Sequence, residues 1–302
     1  MEHISQWILS FEGTPAGARA ALLLALSAAF LHALFGALQK GRHDPWISRA
    51  AIDLSYGLMA LPVALFLVPW PRGGEWWIFL GVFIVHAAYK LAQASAYSAG
   101  AFTFVYPIMR GTSPLVTMFV ASLVFVERYG PRQWLGVLLL SGGIFLLSLV
   151  NLRSIAPSGK PPLRAVLLAL LTGLTIAGYT TYDAWGIRTL PDPMTFLAWF
   201  FVVDSMFLPA LVILRRHRHP LPDDMAPLVL RGIVGGLVAF VSFGAIMLAT
   251  RLDKVGEAAA LRETSALFAA LIGWLLLKEE VEGRRLLFMA MIATGAVLIE
   301  LG

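Results

Sequence analysis

The segment at 104–132, FVYPIMRGTSPLVTMFVASLVFVERYGPR, returns in degenerate form at 256–284 as GEAAALRETSALFAALIGWLLLKEEVEGR. One ungapped offset (262 − 110 = 152) matches Arg110 with Arg262, Thr112 with Thr264, Ser113 with Ser265, Leu115 with Leu267, Glu127 with Glu279, Arg132 with Arg284 and Gly143 with Gly295. Each copy is a long apolar stretch with an arginine inside it. A chain built by duplicating such a unit is restricted to architectures in which apolar helices repeat.

The apolar stretches set the repeat. About 20 mostly apolar residues cross a bilayer as a helix, and ten segments meet that length: 17–39, 47–69, 76–99, 101–126, 132–151, 163–187, 194–214, 225–249, 254–277 and 284–301. The breaks GRHDP, PWPRGGE, RSIAPSGKPP, LPDP and RRHRHPLPDD hold the prolines, glycines and charges that stop helices. Only length forces the division at 99–101. The bulk numbers agree, because the 302 residues are 59% hydrophobic and 14% charged, with a mean hydropathy of +0.78. Soluble domains run at about 45–50% apolar and about 25% charged. The expectation is an all-α integral membrane protein of ten transmembrane helices.

Ten spans and one duplication give five plus five. An odd number of spans per copy inserts the second copy upside down, the inverted-repeat plan of many secondary transporters. The expected organisation is a first five-helix repeat over 1–152, a linker over 153–162 and a second five-helix repeat over 163–302.

Several functions lose their basis here. The chain has no cysteine, hence no thiolate metal site and no cysteine nucleophile. Nucleotide-loop, HExxH and GxSxG motifs are absent. The net charge of +5 sits in short loops between apolar spans, where membrane proteins place it, so nucleic acid is not an expected partner. RRHRH at 215–219 reads as topology or lipid headgroup contact. The first residues, with Glu2 and Glu12, do not resemble a signal peptide. The Lys and Arg count places both termini outside.

Ionisable groups at bilayer depth are costly and survive when paired or facing a polar interior. His86, Lys90, Gln93 and Tyr97 share one helical stripe by spacings of 4, 3 and 4, as do Tyr106, Arg110, Ser113 and Thr117. Pro107 and Pro114 flank Arg110. In the second copy Glu257, Arg262, Glu263, Thr264 and Ser265 crowd one span, and Glu263 replaces Gly111. The arginines are open to two readings: ligand binding, or buried pairs of Arg110 with Glu263 or Arg262 with Glu257 that lock the fold. Arg262 and Glu263, being adjacent, are expected to point apart. Thr172, Thr175, Tyr179 and Tyr182 form an aromatic and hydroxyl face with Asp183 and Trp185 nearby. The first span offers His32, Phe35, Gly36 and Gln39. Asp53 and Asp204 are 151 residues apart (204 − 53), which suggests equivalent roles. Candidate solute-binding residues are therefore His86, Lys90, Gln93, Tyr97, Tyr106, Arg110, Ser113, Tyr179, Tyr182, Arg262, Glu263 and Ser265. Candidates for ion coupling are His32, Asp53, Asp183, Asp204 and Glu257, together with His86. Gly232 to Gly236 is a small-xxx-small run that predicts close helix packing.

The tail of each copy carries a resemblance. YPIMRGTSPLVTMFVASLVFVERYGPRQWLGVLLLSGGIFLL at 106–147 and AALRETSALFAALIGWLLLKEEVEGRRLLFMAMIATGAVLIEL at 259–301 resemble the EamA-like family of the drug/metabolite transporter superfamily. The shared pattern is an apolar helix ending in a glutamate (Glu127, Glu279), a short basic turn and a glycine-bearing last helix. The resemblance implies a basket-like helical fold with a central cavity and export or exchange of metabolites. It also implies cytoplasmic termini, against the charge count, and gives Glu127 and Glu279 structural rather than ligand roles.

The leading expectation is a secondary active transporter, an exporter or exchanger of a small polar, anionic or zwitterionic metabolite such as an amino acid. It would work by alternating access in the inner membrane, as monomer or homodimer, with no cofactor beyond a proton or ion gradient. The competing expectations are a membrane-embedded enzyme acting on a lipid-linked substrate and a non-transporting membrane subunit.

Overall fold

The computed structural model describes residues 1–39, 44–100, 102–155, 163–218, 221–277 and 283–302. The linker residues 156–162, the matched Glu279 and residues 40–43 lie outside the described residues. Thirteen helices and no strand occur among the described residues: α1 Glu2–Phe11, α2 Pro15–Gln39, α3 Pro45–Phe66, α4 Glu75–Ala99, α5 Phe102–Val124, α6 Pro131–Ile155, α7 Leu163–Thr189, α8 Pro193–Asp204, α9 Phe207–Leu214, α10 Ala226–Leu252, α11 Val255–Arg262, α12 Ser265–Leu277 and α13 Gly283–Glu300.

Local chemistry explains the ends. Asp44 accepts hydrogen bonds from the amides of Trp46 and Ile47 at the start of α3, and Asp192 accepts from Met194 at the start of α8. In both helices a proline takes the first position, where its missing N–H costs nothing. Every expected apolar segment coincides with one helix or a pair. α1 is an addition that the sequence reading did not contain, and its Ser5 hydroxyl bonds to Asp192. Among the described residues seven of the apolar stretches are long and apolar enough to cross a membrane, with α8 and α9 forming one of them.

Two stretches read as single spans are interrupted. Between α8 and α9 the break falls at Ser205–Met206. Pro209 supplies the cause: it lacks the N–H that the Ser205 carbonyl would receive, and its ring crowds that carbonyl. Between α11 and α12 the break falls at Glu263–Thr264. There the backbone tightens: the amides of Glu263 and Thr264 bond three residues back, to Ala260 and Leu261. The Thr264 hydroxyl also bonds the Leu261 carbonyl at 2.7 Å, competing with the regular ladder.

The chain divides into two compact units, each drawing on both halves of the sequence. The first comprises residues 1–87 and 182–252. Its core is aromatic and aliphatic, with Phe35, Ile52, Tyr56, Phe79, Ile187, Phe196, Phe200 and Phe201 buried together. α10 lies against α3 along Gly232, Gly235 and Gly236, where an added Cβ would meet the Ala51 carbonyl at 3.0 Å, Ile52 at 2.9 Å and Ser55 at 2.8 Å. The close packing expected of this run is thus observed. At one end of the unit α7 and α10 exchange arginines: Arg188 donates to the Thr250 carbonyl at 2.8 Å, and Arg251 donates to Ile187 and Leu190. Both guanidiniums satisfy carbonyls at helix C-termini.

The second unit comprises residues 88–181 and 253–302. Its core joins Met118, Val137, Leu140, Ile144, Ala260, Ile292 and Ile299. α6 and α13 approach through Gly136 and Gly295, each of which leaves no room for a side chain beside the other's carbonyl. Gly143 meets Ile292 and the Phe288 carbonyl in the same interface. The duplicated glycines Gly143 and Gly295 therefore belong to one helix pair. Across the protein large apolar side chains such as Leu58, Phe66, Trp77, Ile84, Leu123, Leu138 and Leu237 are exposed. Lipid is the solvent that matches such a surface.

Candidate functional site

Among the described residues each unit contains a buried cluster of ionisable side chains. In the first unit the centre is His86 on α4. Its Nε2 lies 2.9 Å and 3.2 Å from the two carboxylate oxygens of Asp183 on α7. Its Nδ1 lies 3.2 Å from Oδ1 of Asp204, the last residue of α8. The Tyr56 hydroxyl, on α3, donates to the other oxygen of Asp204. His86, Asp183, Asp204 and Tyr56 are all buried, and the ring of Phe200 meets the imidazole edge-on at 5.1 Å. One turn before Tyr56 on α3, Asp53 pairs with Arg49 at 2.8 Å.

In the second unit the centre is Glu263, at the break between α11 and α12. Arg110 on α5 donates through Nη1 to its two oxygens at 2.9 Å and 3.3 Å. Arg262 brings Nη2 to 3.6 Å from the oxygen that Arg110 holds more closely. One carboxylate is thus shared by two guanidiniums. Relative exposures are 7% for Arg110, 4% for Arg262 and 1% for Glu263. Nε and Nη2 of Arg262 make no hydrogen bond among the described residues. The Arg110 guanidinium lies 5.3 Å over the Tyr106 ring, and Tyr89 and Tyr179 are within its electrostatic reach. These two tyrosines pack at 4.8 Å, and Gln93 donates to the Tyr89 hydroxyl at 2.7 Å. Ser113, Thr264 and Ser265 are buried in the same unit. Pro114 withholds the N–H that would receive the Arg110 carbonyl in a regular helix.

A third arrangement in this unit is structural. The Glu127 carboxylate accepts from the Val255 amide at 3.0 Å and from the Tyr129 hydroxyl. Tyr129 accepts in turn from the Gly256 amide at 3.0 Å. Loop residues after α5 thereby cap the N-terminus of α11, where negative charge is favoured. Burial, then the bond to Glu127, holds the Tyr129 phenol well above its ordinary pKa.

The residues picked from sequence separate between the clusters. His86, Asp183 and Asp204 meet in the first unit; Arg110, Glu263, Arg262 and Tyr106 meet in the second. The stripe on α4 is divided, with His86 in the first unit and Lys90, Gln93 and Tyr97 in the second. Lys90 is buried and Tyr97 is partly buried. The aromatic face of α7 is divided too: Tyr179 faces Tyr89, whereas Tyr182 donates to the Ile78 carbonyl at 3.1 Å. Thr172 and Thr175 return their hydroxyls to their own helix.

Some expectations need correction. Asp53 and Asp204 are not equivalent: one holds an arginine and the other a histidine and a tyrosine. Arg262 and Glu263, expected to point apart, approach each other because the helix breaks between them and Ser265. Glu257 does not serve Arg262; it pairs with Lys254 at 2.6 Å and accepts from Gln133. His32 lies against Phe35 and Phe243. Tyr56, Tyr89 and Gln133 were not anticipated. The first stands three residues after Asp53 and the second three after His86, so helical spacing alone carried the signal.

The model of the EamA-like transporter family matches residues 19–149 and again 163–301. An uncharacterised protein of Pseudomonas aeruginosa is 29% identical over 246 residues, covering 79% of this chain and 78% of its own. A protein of known crystal structure, 16% identical, superposes with a TM-score of 0.76 over 93% of this chain and 96% of that one. This last likeness concerns the fold alone.

Proposed function

Because this chain belongs to the EamA-like transporter family and is a multi-pass membrane protein, we propose that it is a secondary active transporter of a small anionic or zwitterionic metabolite. The reading places it in the inner membrane with ten spans, arranged as two inverted five-helix repeats that rock to give alternating access. The solute's acid group is received by Arg262.

One observation carries this assignment. Arg262 is a buried guanidinium with Nε and Nη2 unbonded among the described residues. A buried charge without hydrogen-bond partners is costly. A carboxylate or phosphonate offers the planar, two-pronged acceptor that a guanidinium fits. Arg110 has a different part, because it hydrogen-bonds Glu263 at 2.9 Å and 3.3 Å, whereas Arg262 stands 3.6 Å from the same carboxylate. The rings of Tyr106, Tyr89 and Tyr179 supply faces for an ammonium group, which favours an amino acid or a relative of one.

The test is uptake into proteoliposomes of a panel of labelled amino acids, dicarboxylates and phosphonates. Arg262→Ala is expected to weaken uptake by about 10- to 100-fold, the loss of one charge-assisted contact of about 1.5–3 kcal/mol. Arg262→Lys retains the charge but not the fork, and falls between. Wild-type protein that is folded yet moves no member of the panel would sink the proposal.

A further inference from the structure

We propose that the Asp183–His86–Asp204–Tyr56 chain is a proton-binding site that couples proton movement to solute movement. The inference concerns the first unit and rests on the transport reading only for the word coupling.

The proton inventory follows from the geometry. Nε2 of His86 faces Asp183 and Nδ1 faces Asp204. With a carboxylate at each nitrogen, hydrogen-bonded at Nε2 and in ion-pair contact at Nδ1, the imidazole is assigned as the imidazolium. With both carboxylates ionised the three groups then carry a net charge of −1. Tyr56 donates to Asp204 as a neutral hydroxyl and leaves that charge unchanged. Addition of one proton to a carboxylate oxygen of Asp204 or Asp183 makes the cluster neutral; its release restores −1. No other bond is made or broken.

Opposing influences bring these two states together. Burial of all four groups, with Phe200 against the ring, favours the neutral, proton-loaded state. The imidazole between the two carboxylates, and the Tyr56 hydroxyl that donates to Asp204, favour the ionised state. Of the other charges on the packed elements, Asp53 of α3 pairs with Arg49 and also acts on Tyr56, Arg188 of α7 donates to the Thr250 carbonyl, Arg251 of α10 donates to the carbonyls of Ile187 and Leu190, and Arg231 of α10 is a further cation. Tyr182, beside Asp183 on α7, donates to the Ile78 carbonyl.

The cluster also lies where a helix can move. Asp204 ends α8, and the break at Ser205–Met206 begins beside it. Discontinuous helices at ion-binding residues are a recurrent device in secondary transporters. A proton arriving on Asp204 weakens its hold on the imidazolium at the one point of that span where the backbone is already interrupted.

Two measurements test the proposal on the full-length protein in lipid. Infrared difference spectroscopy between about pH 5 and about pH 9 should show a protonated-carboxyl band that disappears in Asp204→Asn and shifts in His86→Gln. A wild-type spectrum lacking such a band, or one untouched by both variants, overturns the proton site. In the second measurement vesicles with an imposed pH gradient are offered labelled alanine, aspartate, glutamate and methylphosphonate. Wild type should accumulate its solute only with the gradient. His86→Gln and Asp204→Asn should lose accumulation by about tenfold or more while solute exchange across the membrane without a gradient continues. Continued exchange separates lost coupling from lost folding. Accumulation indifferent to the pH gradient overturns coupling while transport stands. No movement of any probe by wild type overturns coupling together with the transport reading, and the infrared band then decides the proton site by itself.

Discussion

The two repeats differ most where they ought to match. In the first repeat α3 and α5 are continuous, although Pro62 lies inside α3 and Pro107 and Pro114 inside α5. In the second repeat their counterparts are each split in two, at Ser205–Met206 and at Glu263–Thr264. Each split sits beside the acidic residue of a buried cluster, Asp204 in one unit and Glu263 in the other. The first-repeat counterparts are Asp53, settled on Arg49 of its own helix, and Gly111, packed against Phe145. Divergence after duplication therefore concentrated both the acid and the irregular backbone in the second copy.

The largest expected consequence concerns Glu263. Glu263→Gln removes the carboxylate that Arg110 and Arg262 share, and removal of one partner from a buried ion pair costs about 3–5 kcal/mol. Unfolding in detergent should register that loss. A change below about 1 kcal/mol would mean that the two guanidiniums find other acceptors, and would end the description of Glu263 as their shared anchor.

Pro209→Ala addresses the cause of the α8–α9 break. The substitution returns an N–H to the Ser205 carbonyl, worth about 1 kcal/mol if the bond forms. Amide exchange at 205–209 should slow about fivefold. Unaltered exchange would assign the break to the side chains around Asp204 instead.

The smallest effect is expected in the first repeat. Asp53 is buried, but its partner Arg49 is 20% exposed, so the guanidinium keeps contact with its surroundings and an amide at position 53 still accepts its hydrogen bond. Asp53→Asn should therefore lower stability slightly and leave any proton-driven accumulation intact. A defect as deep as that of Asp204→Asn would restore the equivalence of the two aspartates that the geometry denies.

Much of this was legible before any coordinates. Apolar lengths located the helical segments, and the breaks GRHDP and LPDP contain Asp44 and Asp192, which the structure uses to cap the helices that follow. The identity of the offset pair Arg110 and Arg262 points to the second cluster, and Glu127, to which the resemblance gives a structural role, accepts from the Val255 amide at the start of α11. The break at Ser205 could have been read from Pro209. The break at Glu263 could not, since no proline lies near it and the competing bond comes from a threonine, a residue that regular helices also accommodate.

Sequence by itself determined the solvent, the duplication and the list of charges that the interior must accommodate, because length, hydropathy and offset are properties of the chain alone. Tertiary structure decided the partners. Helical spacing places His86, Lys90, Gln93 and Tyr97 on one stripe, yet only packing assigns His86 to Asp183 and Asp204 and divides the stripe between two units. It likewise decided that Arg110 is held by Glu263 while two nitrogens of Arg262 remain unbonded among the described residues. The physical reason is that a buried charge is defined by what lies within about 4 Å of it, and residues 97 or 153 positions apart reach that distance only through the fold.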